Sequence, residues 1–131
     1  MTRTLKNSFR SWIAAACILG SWGLGTNLLT AWQPAKKAYM VVQVDVTNPA
    51  KYQEYTKLSP AIVAKFGGKY LARAGRTATL EGPPARARVV VLEFPSFEQA
   101  EAFYNSPEYV AARKLRAEAA QAQFVVVEGL E

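Results

Sequence analysis

Residues 39–46 read YMVVQVDV. Side chains alternate across a strand, so Met40, Val42, Val44 and Val46 share one face, and Tyr39, Val41, Gln43 and Asp45 share the other. The first face is wholly apolar and predicts a covering of helices. The second is mixed. Residues 88–94, RVVVLEF, give the strongest strand signal in the chain and alternate in the same way.

The segments between these runs set the topology. Asn48 is placed as an N-cap with Pro49 at the first helical position. Tyr52, Tyr55, Ser59, Ile62 and Phe66 then recur at helical spacing, and Gly67-Gly68 stops the helix. Pro60 predicts a kink or break near Leu58. Residues 69–73 read as a second strand, continuing through 75–80 past a bend at Gly75. Ser96 with Gln99 forms a capping box for a second helix, with Phe97, Ala100, Phe103 and Tyr104 on its buried side. Ser106-Pro107-Glu108 restarts it, to about Ala120, and residues 124–128 close as a strand.

The order β-α-β-β-α-β predicts a ferredoxin-like α+β plait: a four-stranded antiparallel sheet with its helices on one face. The other face keeps Val41, Val89 and Val91. An apolar open face needs a partner, and a second copy packed sheet to sheet, a homodimer, is the expectation.

Residue types exclude much chemistry. The chain has 131 residues, room for one domain, and no histidine. Histidine bases, Ser–His or Cys–His dyads and His-ligated metals are therefore out. The one cysteine, Cys17, lies in the N-terminal segment, so the domain carries no disulfide or thiolate metal site. No metal and no cofactor is expected. The formal charge is +6, but from Lys36 onward 13 basic residues meet 10 acidic ones. No basic stripe interleaved with aromatics is present, which argues against nucleic acid as a partner.

The first 37 residues have a different character. Arg3, Lys6 and Arg10 precede an uncharged run over 12–32. That is the pattern of an export signal, and as a hydrophobic helix the run would also span a bilayer. A cleaved signal peptide and a retained anchor both fit. Small residues stand near 21–25 without an Ala-x-Ala site, and Cys17 lacks the context for lipidation. The expectation is a leader and linker over 1–37 and a domain over 38–131. The domain would then be periplasmic or extracellular, or tethered to the cytoplasmic membrane by that segment alone.

GGKYLARAG (67–75), VVVLEFPSFEQAEAFYNSPEY (89–109) and the following Arg113 and Arg116 resemble the bacterial domain-of-unknown-function family thirteen-thirty. That family belongs to the dimeric α+β barrel superfamily. The resemblance runs from about Tyr39 to Glu128 and implies the fold and the dimer. It implies no reaction. The superfamily holds cofactor-free monooxygenases, haem-degrading enzymes, isomerases of small acids and plain ligand-binding modules, and a fold does not fix a function.

Candidate site residues follow from strand parity. Parity puts Glu93 with Val89 and Val91, and Arg73 with Leu71 and Lys69. On adjacent antiparallel strands the two would form a carboxylate–guanidinium pair. That pair reads either as a polar element orienting a substrate, with Glu93 accepting a proton, or as a structural salt bridge. Tyr55, Tyr104 and Tyr109 are candidate hydroxyl donors to a pocket, and also ordinary core rings. Ser106 is a candidate ligand contact, although capping explains it. Arg113 is placed to close the pocket or to pair with Glu93 or Glu108. Arg116 and Asp45 read as a solvated cation and a turn residue. Three functions stay open: a barrel that binds a small organic ligand, a cofactor-free monooxygenase- or isomerase-like enzyme acting on a small aromatic or carbonyl compound, and a membrane-tethered structural module.

Overall fold

The computed structural model describes residues 34–130. The expected N-terminal hydrophobic helix, and the signal or anchor role expected of it, fall outside the described residues. Among the described residues no helix is long and apolar enough to cross a membrane.

The elements are β1 (Ala38–Val46), α1 (Pro49–Lys65), β2 (Lys69–Arg73), β3 (Arg88–Phe94), α2 (Phe97–Asn105), α3 (Pro107–Ala117) and β4 (Ala120–Glu128). The strands form one antiparallel sheet in the order β2-β3-β1-β4. This is the ferredoxin-like α+β plait, with three helices where the sequence suggested one interrupted second helix. Ala38, Met40, Val42 and Val44 of β1 are buried under the helices with Val90, Leu92 and Phe94 of β3. Burying a side chain such as Phe94 or Phe103 contributes about 1.5–3 kcal/mol.

Local chemistry explains the boundaries. Asn48 accepts from the Lys51 amide at 3.2 Å, and Ser96 from the Gln99 amide at 3.1 Å. Helix α1 ends in a Schellman motif. The Gly68 amide donates to Val63 O and the Gly67 amide to Ala64 O, both at 2.9 Å, with Gly67 at φ +74°. Gly68 also has no room for a side chain, since a Cβ there would lie 2.6 Å from Val63 Cγ1 and 2.7 Å from Phe94 Cε1.

Several expectations are corrected. Helix α1 runs unbroken through Pro60. Tyr52, Tyr55, Ser59 and Val63 form one buried stripe on both sides of the proline, and that shared packing offsets the roughly 3 kcal/mol a mid-helix proline costs. Strand β2 stops at Arg73, so residues 75–80 are not strand. The Ala74 amide donates a last ladder bond to Val89 O at 2.9 Å and the chain turns away there at φ +52°, and β3 begins only at Arg88, which leaves residues 75–80 without a strand partner. The connection over 74–87 is pinned to the open sheet face instead. The Ala87 amide and Arg86 Nη1 donate to the Asp45 carboxylate at 3.0 and 2.8 Å, and the Arg86 amide donates to Gln43 Oε1 at 3.3 Å. Asp45 is thus a loop anchor rather than a turn residue. Helix α3 ends at Ala117 and β4 begins at Ala120, four residues earlier than expected.

Candidate functional site

A cleft opens between the helix-covered face of the sheet and α1. Its enclosed space is about 30 Å³, room for about one water, and it reaches about 450 Å³ only when the open space at its mouth is counted. Val42, Val44, Val90 and Leu92 form its sheet wall, and Tyr52, Tyr55, Thr56, Ser59 and Val63 its helix wall. Tyr109 and Phe124 also line it. It is narrow because rings stand across it, and as it stands the space suits a water, with room for a larger flat group only if those rings part. The cleft continues outward into a shallower depression shared by Tyr52, Thr56, Arg73 and Arg88, and flanked by Gln53.

A buried polar chain ends at this cleft. Arg116, only 6% exposed, donates from Nη1 to the Tyr109 hydroxyl at 3.0 Å. The Tyr109 and Tyr55 hydroxyls are hydrogen-bonded at 3.0 Å. The Arg116 guanidinium lies 4.3 Å from the Phe124 ring centroid and 5.6 Å from that of Tyr55, a cation held against π faces. Its Nε is buried and meets no acceptor among the described residues. Burial pushes the Tyr109 phenol far up from its ordinary range, and the adjacent Tyr55 adds to this, while the Arg116 charge opposes it. Burial likewise raises Tyr52 and Tyr70. All three are neutral phenols at physiological pH, able to donate as well as accept.

The structure separates Arg73 from Glu93. A bulge between Tyr70 and Ala72 lets the ladder skip Leu71, so Lys69 faces Glu93 whereas Arg73 faces Val90. One extra residue inverts strand parity. Arg73 therefore lies on the helix side, at the cleft mouth, and stacks on Tyr70 at 4.9 Å. Glu93 stays on the open face and pairs with Lys37 at 3.0 Å. The anticipated carboxylate–guanidinium pair does not form, and Glu93 has no place in the cleft.

The other candidates divide. Tyr55 and Tyr109 line the cleft. Ser106 does not; its Oγ accepts from the Tyr109 amide at 3.2 Å and donates to Phe103 O at 2.8 Å, which is capping. Tyr104 lies over a separate depression beside Met40, Ala100 and Val126, with Arg113 stacked on its ring at 4.7 Å. Arg113 pairs with neither Glu93 nor Glu108, and Glu108 is engaged by Lys65. Arg116 is buried rather than solvated. Its signal was present in the sequence: Tyr109, Ala112 and Arg116 share one helical face, and all three are buried. Arg88, which lies 5.5 Å from the Tyr52 ring, was missed as a strand residue without a role.

The cleft lining contains no Asp, Glu or Cys. Among the described residues no group of His, Cys, Asp or Glu is placed to hold a metal ion. What the arrangement can do is bind: flat apolar walls, polarised hydroxyls at the floor and cations at the mouth.

Comparison with known proteins agrees with this fold. A family model described as a domain of unknown function (DUF1330) matches residues 37–130. No curated protein matches significantly. Among solved structures, the chain is similar to RPA0582, a protein of unknown function from Rhodopseudomonas palustris. The TM-score is 0.60 and the identity 21%, over 73% of this chain and 84% of that one. It is also similar to SnoaB, a cofactor-independent oxygenase from Streptomyces nogalater. There the TM-score is 0.54 and the identity 10%, over 74% of this chain and 96% of that one. Both likenesses establish the fold.

Proposed function

The chain belongs to the family described as a domain of unknown function (DUF1330), and from that premise we propose that it binds a small organic ligand in the cleft between α1 and the sheet. One observation carries the reading. The Arg116–Tyr109–Tyr55 hydrogen-bond chain leads from the protein interior to the floor of an otherwise apolar cleft. A few convergent polar groups inside an apolar concavity are the usual makeup of a ligand site. Arg116 is held by ring faces and the Tyr109 hydroxyl, with no carboxylate beside it among the described residues, so its charge is left to act on the cleft.

Catalysis without a cofactor is the second reading. Tyr55, polarised through Tyr109 by a buried cation, is suited to stabilising an oxyanion. Because no carboxylate lines the cleft, the substrate would have to ionise without a protein base. Proton abstraction by Glu93 is not proposed, since that residue is on the opposite sheet face.

The working unit we propose is a homodimer. Tyr39, Val41, Val89, Val91, Val125 and Val127 alternate onto the open face, and Val125 and Val127 are each about half exposed. A second sheet is the simplest cover for such a surface. The uncharged run over 12–32 is proposed to export the domain or to tether it to the membrane.

The test is native mass spectrometry of the full-length protein as purified, followed by thermal shift with whatever dissociates. A small organic molecule that returns a stabilisation of several degrees, abolished by Tyr55→Phe, is the expected result. Stabilisation that survives that substitution would place the ligand elsewhere.

A further inference from the structure

Resting on that cleft, we propose that its ligand is a small planar carboxylate, gripped at the mouth by Arg73 and Arg88 and met at the floor by the Tyr55 hydroxyl. Three arginines converge on the cleft and no acid does. Arg73 and Arg88 border its mouth, and Arg116 lies behind its floor. The charges of all three act on the single phenol of Tyr52. Elsewhere on the domain four cations are paired with acids, Lys37 with Glu93, Lys51 with Glu118, Lys65 with Glu108 and Arg86 with Asp45, while others such as Lys57, Lys69, Arg76 and Lys114 are simply exposed to solvent rather than gathered together. Among the described residues none of the cleft arginines has a carboxylate partner. Like charges gathered without a counter-ion repel one another, and an anion entering between them relieves that repulsion.

The geometry sets the shape of the anion. Arg73 faces Val90, and Arg88 is two residues from Val90 on the same strand. The two arginines are therefore diagonal neighbours on one sheet face, with a spacing on the order of 7–8 Å. Each rests on a tyrosine ring, Arg73 on Tyr70 and Arg88 on Tyr52. Neither guanidinium donates a hydrogen bond to another described side chain, so their N–H edges are available to an acceptor. A carboxylate matches a guanidinium edge with two parallel hydrogen bonds. Inward from that grip the walls are Tyr52, Tyr55, Val44 and Val90, and the gap between them is narrow. A flat ring or conjugated chain is the body that enters by parting these walls least.

Counting protons defines the floor. Tyr109 O already accepts from Arg116. If Tyr55 donated to Tyr109, the Tyr109 proton would be left in a fully buried position with no acceptor. The favourable arrangement has Tyr109 donating to Tyr55, which turns the Tyr55 proton toward the cleft. A carbonyl or phenolic oxygen at the inner end of the ligand would receive it.

The experiment uses the full-length protein and two probes of nearly equal shape, benzoate and benzamide, titrated calorimetrically at low salt. We expect benzoate to bind at least tenfold tighter than benzamide. Arg73→Gln and Arg88→Gln, both on partly exposed side chains that the fold does not require, should each remove most of that preference. Equal affinity for the two probes, or a preference untouched by both substitutions, overturns the carboxylate and leaves ligand binding in the cleft standing. Inorganic phosphate displacing benzoate with equal affinity would overturn the planar organic body. Failure of both probes to bind at millimolar concentration, with no thermal shift, would count against the cleft as a ligand site altogether.

Discussion

The two faces of the sheet are built from the same strands, yet they handle charge in opposite ways. On the open face, charges are neutralised locally. Glu93 meets Lys37, and Asp45 meets Arg86 together with a loop amide. On the helix side, Arg73, Arg88 and Arg116 gather around tyrosine rings with no acid among them. Charge satisfied within the protein speaks for structure. Charge left uncompensated beside a cleft speaks for something the protein binds: Arg116 is buried, and an unpaired buried cation is costly to keep, while Arg73 and Arg88 add like charge at the mouth. The face that looked functional by parity is thus the one whose charges are already accounted for.

Neighbouring residues provide the largest test of this difference. Val41 and Val42 are adjacent in sequence and point to opposite faces. Val42 is 4% exposed, against α1 and the cleft. Val42→Asp buries an unpaired carboxylate in the core and should cost more than about 4 kcal/mol, enough to prevent folding of a small domain. Val41→Asp should leave the monomer folded, with its circular dichroism intact, and dissociate the dimer in sedimentation velocity at micromolar concentration. If Val41→Asp remains a dimer, the open face is not the interface. If it unfolds, the two faces are not as distinct as the burial pattern implies.

The plait was readable because it rests on local signals: two alternating strands, two capped helices and a double-glycine stop. The site was less readable because it depends on one residue of register. KYLAR carries no glycine or proline to announce a bulge, and the irregularity was expected at Gly75 instead. Leu71 slipping out of the ladder moved Arg73 from the side of Glu93 to the side of Tyr70. The contribution of Arg116 was hidden differently. A charged residue near a helix end reads as solvated, and only its spacing from Tyr109 shows that it faces inward. Propensity says nothing about which cations will find an acid, since that depends on tertiary contacts.

Arg116 gives the next prediction, of intermediate size. Arg116→Met keeps the length and apolar stem of the side chain, removes a buried charge and eliminates the unsatisfied Nε. Replacing a buried charge by a hydrophobic group of similar size is often stabilising. The expected gain is about 1 kcal/mol, read as a rise of roughly 4–8 °C in Tm for a domain of this size. The same substitution should weaken benzoate binding, because the Tyr55 proton is no longer directed to the cleft. Stability and binding would then move in opposite directions, as they do for residues maintained for function. A Tm that falls by a similar amount would show that stacking on Phe124 and the Tyr109 hydrogen bond make Arg116 a structural residue.

Glu93 should give the smallest effect, and that smallness tests the comparison from its other side. Glu93→Gln removes one partner of the Lys37 pair, in which the lysine side chain is 59% exposed. The glutamate side chain is 16% exposed, but the pair opens to solvent through the lysine, and a pair screened in that way contributes little because two flexible side chains must also be held in place. The expected outcome is a melting temperature unchanged within error and benzoate affinity equal to that of the wild-type chain. Had Glu93 shared the cleft with Arg73, the substitution would change binding several-fold by releasing an arginine or removing a polar contact. A several-fold change in benzoate affinity without a change in Tm would therefore mean that the open face reaches the ligand, through the partner subunit or through the loop anchored at Asp45. Unchanged binding would leave ligand recognition with the acid-free side of the sheet.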